Sequence, residues 1–169
     1  MTPTTPITRL ILADGLSGSG KSTLCQWLEL QLLARGIRAR WVVEADAPHP
    51  LHWWEPSDFE ISDDTSTQAP FFRSHTPAAF IVRSITRWQH FAATVRSSDP
   101  VYVVESMLFL LGIDHLMCAG AIVPELTAYG QQVEAIIADL HPCLLYFRQP
   151  DIAAHARSAI SVALRSRTS

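Results

Sequence analysis

The stretch Gly15-Leu16-Ser17-Gly18-Ser19-Gly20-Lys21-Ser22-Thr23 decides how the rest of the chain is read. It lies between a short apolar run, Leu10 to Ala13, and a stretch from Ser22 to Arg35 that carries Leu24, Trp27, Leu28 and Leu32 at helical spacing. Three glycines in six residues let the backbone turn through conformations that side chains disfavour. An apolar strand, a glycine loop and an amphipathic helix, in that order, open a βαβ unit. Lys21 is the only lysine among the 13 Lys and Arg residues, so its place in this loop needs a reason.

Working outward, Gly36 is placed to end the first helix as its C′ residue. Arg40 to Glu44, "RWVVE", reads as a second strand. Between 45 and 75 the periodicity fails: there are four prolines, the aromatic "LHWW" and the acidic "DFEISDD". A loop this long inside a domain is usually functional or mobile. Thr76 then caps a helix that starts at Pro77, with Ile81, Ile85, Trp88, Ala92 and Val95 forming one stripe. Pro100 to Ser106 is a third strand, and Met107 to Cys118 a helix or turn. Pro124 to Leu140 is a helix with Val133, Ile136, Ile137 and Leu140 on one face. Cys143 to Phe147, "CLLYF", is a fourth strand, and Asp151 to Arg165 a closing helix. This alternation predicts one three-layer α/β domain over residues 1–169, with a parallel sheet of about four to five strands and helices on both faces.

Composition narrows the classes. The chain is 48% apolar and 17% charged, which is globular. A net charge of -3 argues against a broad nucleic-acid-binding face. Cys25, Cys118 and Cys143 form neither a disulfide framework nor a CxxC metal pattern, which is the usage of a reducing compartment. The N-terminus lacks a basic region followed by an apolar stretch, and no apolar run reaches the roughly 18 residues of a membrane span. A cytoplasmic protein with no membrane partner is expected.

The loop matches GxxxxGK[ST] in full, with a strand before it and a helix after. Backbone N–H groups of Gly15, Ser17, Gly18, Ser19, Gly20, Lys21, Ser22 and Thr23 can converge on phosphate oxygens, aided by the helix N-terminus. Lys21 supplies a compact ammonium between β- and γ-phosphates, which the rigid fork of arginine does not replace. Ser22 supplies a hydroxyl ligand for Mg²⁺. These residues predict ATP and Mg²⁺ as cofactors.

The chain resembles the P-loop kinase group, in particular thymidylate-kinase and deoxynucleoside-kinase-like proteins. "ILADGLSGSGKSTL" is similar to their opening strand, loop and helix, and "WVVEADAPHP" to their second strand. "VYVVESMLF" is similar to their third strand, and "CLLYFRQPDIAAHARSAI" to their fourth strand and the helix leading to an arginine-bearing lid. The resemblance implies that Lys21 binds phosphate and Ser22 holds the metal. It implies that Glu44 is the general base or orients the acceptor under a variable acceptor loop over 45–75, and that Glu105 serves the metal or the acceptor. Arg157, Arg165 and Arg167 are the lid cations it implies, in a partial lid over 151–169. Two departures stand out. Ser106 occupies the place where the deoxynucleoside kinases have arginine, leaving Arg83 or Arg87 as the replacement cation. No segment matches the family's fifth strand.

The expected activity is transfer of the γ-phosphoryl group of ATP to a small-molecule acceptor, a nucleoside or nucleotide. An antibiotic or natural-product hydroxyl is the rival acceptor, because "HPLHWWEP" is unlike a monophosphate clamp. A non-catalytic ATP-binding module is the alternative outside enzymes. A GTPase is disfavoured because its guanine-reading motif needs asparagine, which this sequence lacks. Asp46 and His49 either contact an acceptor or metal or are loop residues, and Asp14 is expected to satisfy local backbone. The apolar "CLLYF" expects neighbours on both faces, so a homodimer is expected to cover it.

Overall fold

The computed structural model describes residues 7–46, 48–53 and 76–153. Four strands form one parallel sheet in the order β2-β3-β1-β4. They are β1 Leu10–Gly15, β2 Ala39–Val42, β3 Val101–Glu105 and β4 Cys143–Phe147. The helices are α1 Lys21–Ala34, α2 Pro77–Ser97, α3 Asp114–Cys118 and α4 Val123–Ile137. A turn of π-helix, Phe109–Ile113, runs into α3, and a 3₁₀ turn, Ala138–Leu140, follows α4.

Side chains alternate across a strand, so each face of the sheet gathers its own cluster. Leu10, Leu12, Tyr102 and Val104 pack with Phe80, Trp88, Phe91 and Val95 of α2 and with Tyr129 and Val133 of α4. Ala13 and Val103 face Cys25, Leu28 and Leu32 of α1 on the other side. The fold is therefore α/β, with helices on both faces of the parallel sheet, as composition and periodicity predict. In the larger cluster the Tyr129 hydroxyl shares a hydrogen bond with Ser84 Oγ at 2.8 Å and accepts the Trp88 indole N–H at 3.3 Å. Burial raises the Tyr129 pKa, against the pull of these two bonds.

Several element boundaries differ from the expectation. The second strand stops at Val42 rather than Glu44. Asp46 is the reason: its carboxylate accepts the Val43 N–H at 3.2 Å, and its own N–H donates to the Val43 carbonyl at 2.9 Å. This turn takes Val43 and Glu44 out of the ladder. The first helix begins one residue earlier than expected and buries Lys21 and Cys25, whereas Trp27 is 54% exposed. The helix at 124–140 divides into α4 and a 3₁₀ turn. β4 pairs only with β1 among the described residues, and Cys143, Leu144 and Tyr146 are exposed rather than buried. No helix among the described residues is long and apolar enough to cross a membrane.

Candidate functional site

The chain leaves β1 toward α1 on one face of the sheet and leaves β3 toward α3 and α4 on the other. The two strands are neighbours, with Ala13 opposite Glu105. Connections that part to opposite faces open a crevice at the carboxyl ends of the strands, where ligands bind in open α/β sheets. The glycine loop sits at one lip of this crevice and Glu105 at the other.

Gly15 ends β1 with φ 142°, against the β4 backbone. A Cβ there would lie 2.7 Å from the Phe147 carbonyl oxygen, so only glycine fits. Gly18 and Gly20 are also left-handed, at φ 75° and 94°. Gly20 is the N-cap of α1 and no side chain caps that helix, so its first amides keep their donors for another partner. Gly18, Gly20, Lys21, Ser22 and Thr23 line a hollow of about 240 Å³. The Lys21 ammonium is buried and donates to the Leu16 carbonyl at 2.9 Å, inside its own loop.

Beneath the loop lies Cys25, fully buried. Burial first, and then the negative charge of Glu105, push its thiol up to about 12, while Lys21 opposes them. Cys25 therefore feels both an ammonium and a carboxylate. A thiol kept neutral is packing here, not a nucleophile.

Glu105 is 2% exposed. Its Oε1 accepts the Glu44 N–H at 3.3 Å, and its Oε2 has no hydrogen-bond partner. An unpartnered buried carboxylate oxygen is costly, so it points to a donor or cation supplied from outside the chain. The next residue, Ser106, is fully buried at φ 66°, and its hydroxyl is also unpartnered. A non-glycine residue in this region stores roughly 1–3 kcal/mol, and such strain gathers at functional sites. Ser106 N–H donates to the Ala13 carbonyl at 2.9 Å, and its carbonyl accepts Leu111 N–H at 2.8 Å. Those two bonds hold the strained turn.

Glu44 reaches the site through its backbone. Its N–H engages Glu105, and its carbonyl accepts His52 Nε2–H at 3.0 Å. His52 stacks on His49, with ring centroids 4.4 Å apart. His49 Nδ1 accepts the Leu51 N–H at 3.0 Å, so Nε2 carries the proton, and that buried donor has no partner. Burial, then His52, bring the His49 pKa down to about 4, against the attraction of Asp46. Burial also lowers His52 and His115. Trp53 donates its indole N–H to His115 Nδ1 at 3.2 Å. Beyond Trp53 a second hollow, about 380 Å³, is lined with Val82, Arg83, Thr86, Arg87 and His90 of α2.

The structure thus gathers Lys21, Glu105 and the Glu44 backbone at one sheet edge. Asp14 turns out to hold distant backbone rather than local alone: it accepts N–H groups of Leu108, Phe109 and Leu110, besides that of Gly15. Arg157, Arg165, Arg167 and most of the acceptor loop lie outside the described residues. Sequence reasoning did not single out Ser106 as strained or Cys25 as the contact beneath the loop. The signal for Cys25 was its i+4 spacing from Lys21 and i−3 spacing from Leu28. Among the described residues no group of three His, Cys, Asp or Glu could hold a metal by itself. No family model, curated protein or solved structure matches the chain.

Proposed function

We propose that the chain is an ATP-dependent phosphotransferase of the P-loop kinase type, which moves the γ-phosphoryl group of ATP to a hydroxyl or phosphate acceptor. The observation that carries this reading is the glycine loop. Gly18 and Gly20 are left-handed, α1 starts uncapped at Lys21, and the neighbouring strand ends in a buried carboxylate with a free oxygen. Backbone amides and a helix N-terminus favour phosphate oxygens. Lys21 leaves the Leu16 carbonyl to meet the charge of the β- and γ-phosphates. Ser22 and Glu105 are the hard oxygen donors that suit Mg²⁺. When bound, that ion neutralises phosphate charge. Glu44 lies beside the crevice, where it can take the proton of an acceptor hydroxyl. Most of the rate gain comes from positioning and charge neutralisation.

The test is MgATP binding followed by thermal shift and calorimetry. Ligand binding to the folded state alone stabilises it by about 2.7 kcal/mol at a hundredfold excess over Kd. Wild type should show that gain, and Lys21→Ala should lose it while keeping its circular dichroism spectrum. Unchanged ATP affinity in Lys21→Ala would reject the reading.

A further inference from the structure

Resting on the phosphotransferase reading, we infer that the hydroxyl of Ser106 is a third oxygen donor to the divalent cation of this site, alongside Ser22 and Glu105. Two unfavourable features meet at Ser106. Its backbone is left-handed at φ 66°, a conformation that glycine adopts without strain. Its side chain is fully buried, and its Oγ has no hydrogen-bond partner among the described residues. A buried hydroxyl left unpaired is itself destabilising. The surrounding chain nevertheless holds this conformation. Ser106 N–H donates to the Ala13 carbonyl at 2.9 Å, and its carbonyl accepts the Leu111 N–H at 2.8 Å. Asp14, next after Ala13, accepts the amides of Leu108, Phe109 and Leu110. The strained residue is thereby pinned to the root of the glycine loop, at the carboxyl end of β3.

The neighbouring residue points to the kind of ligand. Glu105 pairs with Ala13 across the strands, and its Oε2 is also buried without a partner. The two side chains are joined by one peptide bond, yet neither satisfies the other. A phosphate oxygen beside that carboxylate would be repelled, whereas a cation is attracted. A carboxylate and a hydroxyl are both hard oxygen donors, the kind Mg²⁺ takes together with substrate phosphates and water. Glu105 keeps its role as a metal ligand, and Ser106 adds the next oxygen.

Ser106→Ala removes the hydroxyl and keeps the left-handed strain, whereas Ser106→Gly removes both. ATP is titrated calorimetrically into wild type and each variant, in EDTA and across a MgCl₂ series. Wild type should bind ATP more tightly with Mg²⁺. Both variants should need about tenfold or more Mg²⁺ to reach half of that gain, with unchanged affinity for ATP in EDTA. Without ligand, Ser106→Gly should unfold at higher urea than Ser106→Ala, because it alone relaxes the backbone. The Mg²⁺ requirement is read on each variant that keeps the circular dichroism spectrum of wild type. A wild-type Mg²⁺ requirement in the variants overturns the inference and assigns the hydroxyl to a buried water. Equal loss of ATP affinity with and without Mg²⁺ overturns it too, since a metal ligand acts through the metal. Wild type that binds MgATP, with variants that match it, rejects the role of Ser106 alone. Wild type that binds no MgATP rejects the phosphotransferase reading, and the role of Ser106 with it.

Discussion

The Asp14 carboxylate at the end of β1 accepts the backbone N–H of Phe109 at 2.9 Å, 95 residues along the chain. The same group takes the amides of Leu108 and Leu110, so one buried side chain caps the π-helical turn after β3. It ties the root of the glycine loop to the segment leaving Glu105. Asp14→Ala would strand those amides away from water. It should destabilise the fold by about 2–3 kcal/mol, and Asp14→Asn by less, because one acceptor oxygen remains. Urea unfolding measures both, and an unchanged midpoint for Asp14→Ala would contradict this account.

Gly15 is the other fixed point of the loop. Its absent side chain is what lets β1 and β4 close together, and the crowding atoms are the Phe147 backbone carbonyl and Cβ. Gly15→Ala should cost several kcal/mol, or roughly the sum of a strained φ and an overpacked contact. Gly36→Ala, with open space around it at φ 75°, should cost only about 1 kcal/mol. Equal melting temperatures for the two variants would show that the close approach is not real.

The two carboxylates of the crevice should separate by phenotype. Glu44→Gln should keep ATP affinity and lose about a hundredfold or more in phosphoryl transfer if Glu44 is the base. Glu105→Gln should weaken the dependence on Mg²⁺ instead. Steady-state kinetics across a Mg²⁺ series distinguishes them. Identical profiles for the two variants would remove the division of labour.

What the sequence made legible follows from how local each signal is. The glycine loop was readable because its chemistry is packed into adjacent residues, and Thr76-Pro77 announced α2 for the same reason. Thr76 Oγ1 does accept the Ala79 N–H, at 3.2 Å. Trp27 misled because helical spacing allows two neighbouring stripes. The sheet selects the narrower one, Cys25, Leu28 and Leu32. The end of β2 depended on a side chain three residues beyond it, Asp46, turning back on Val43. The strain at Ser106 depends on hydrogen bonds to Ala13 and Leu111, which no local pattern reveals. Asp14 was read as a local group, and most of its partners proved to be distant in sequence.

His49 should make stability depend on pH. Its folded pKa of about 4 lies below the ordinary 6.5, so between those values the unfolded chain binds more protons than the folded one. Stability contributed by neutral His49 is complete above about pH 6.5 and is lost as pH falls toward 4. The slope in that window is at most about 1.4 kcal/mol per pH unit for one proton. His49→Gln should flatten it. Denaturation midpoints at matched ionic strength, from pH 4 to 7, provide the check, and an equal slope in the variant would assign the effect to other groups.

The outer edge of β4 leads to the last expectation. β1 takes one edge of this strand, and among the described residues no strand takes the other. Leu144 is 45% exposed and Tyr146 57%, and Tyr146 meets the exposed Phe109 ring edge-on at 5.4 Å. An open edge that also carries apolar side chains is a template for pairing with a further strand. Association through this edge would bury the Leu144, Tyr146 and Phe109 cluster and add a second backbone ladder to β4. Light scattering over a dilution series should therefore report a dimer that dissociates on dilution. Leu144→Lys and Tyr146→Lys together should shift it to monomer, since a buried lysine at a strand edge opposes pairing. Both changes leave the pairing with β1 intact, so thermal stability at low concentration should change little. A wild-type monomer at every concentration would reject self-association through β4.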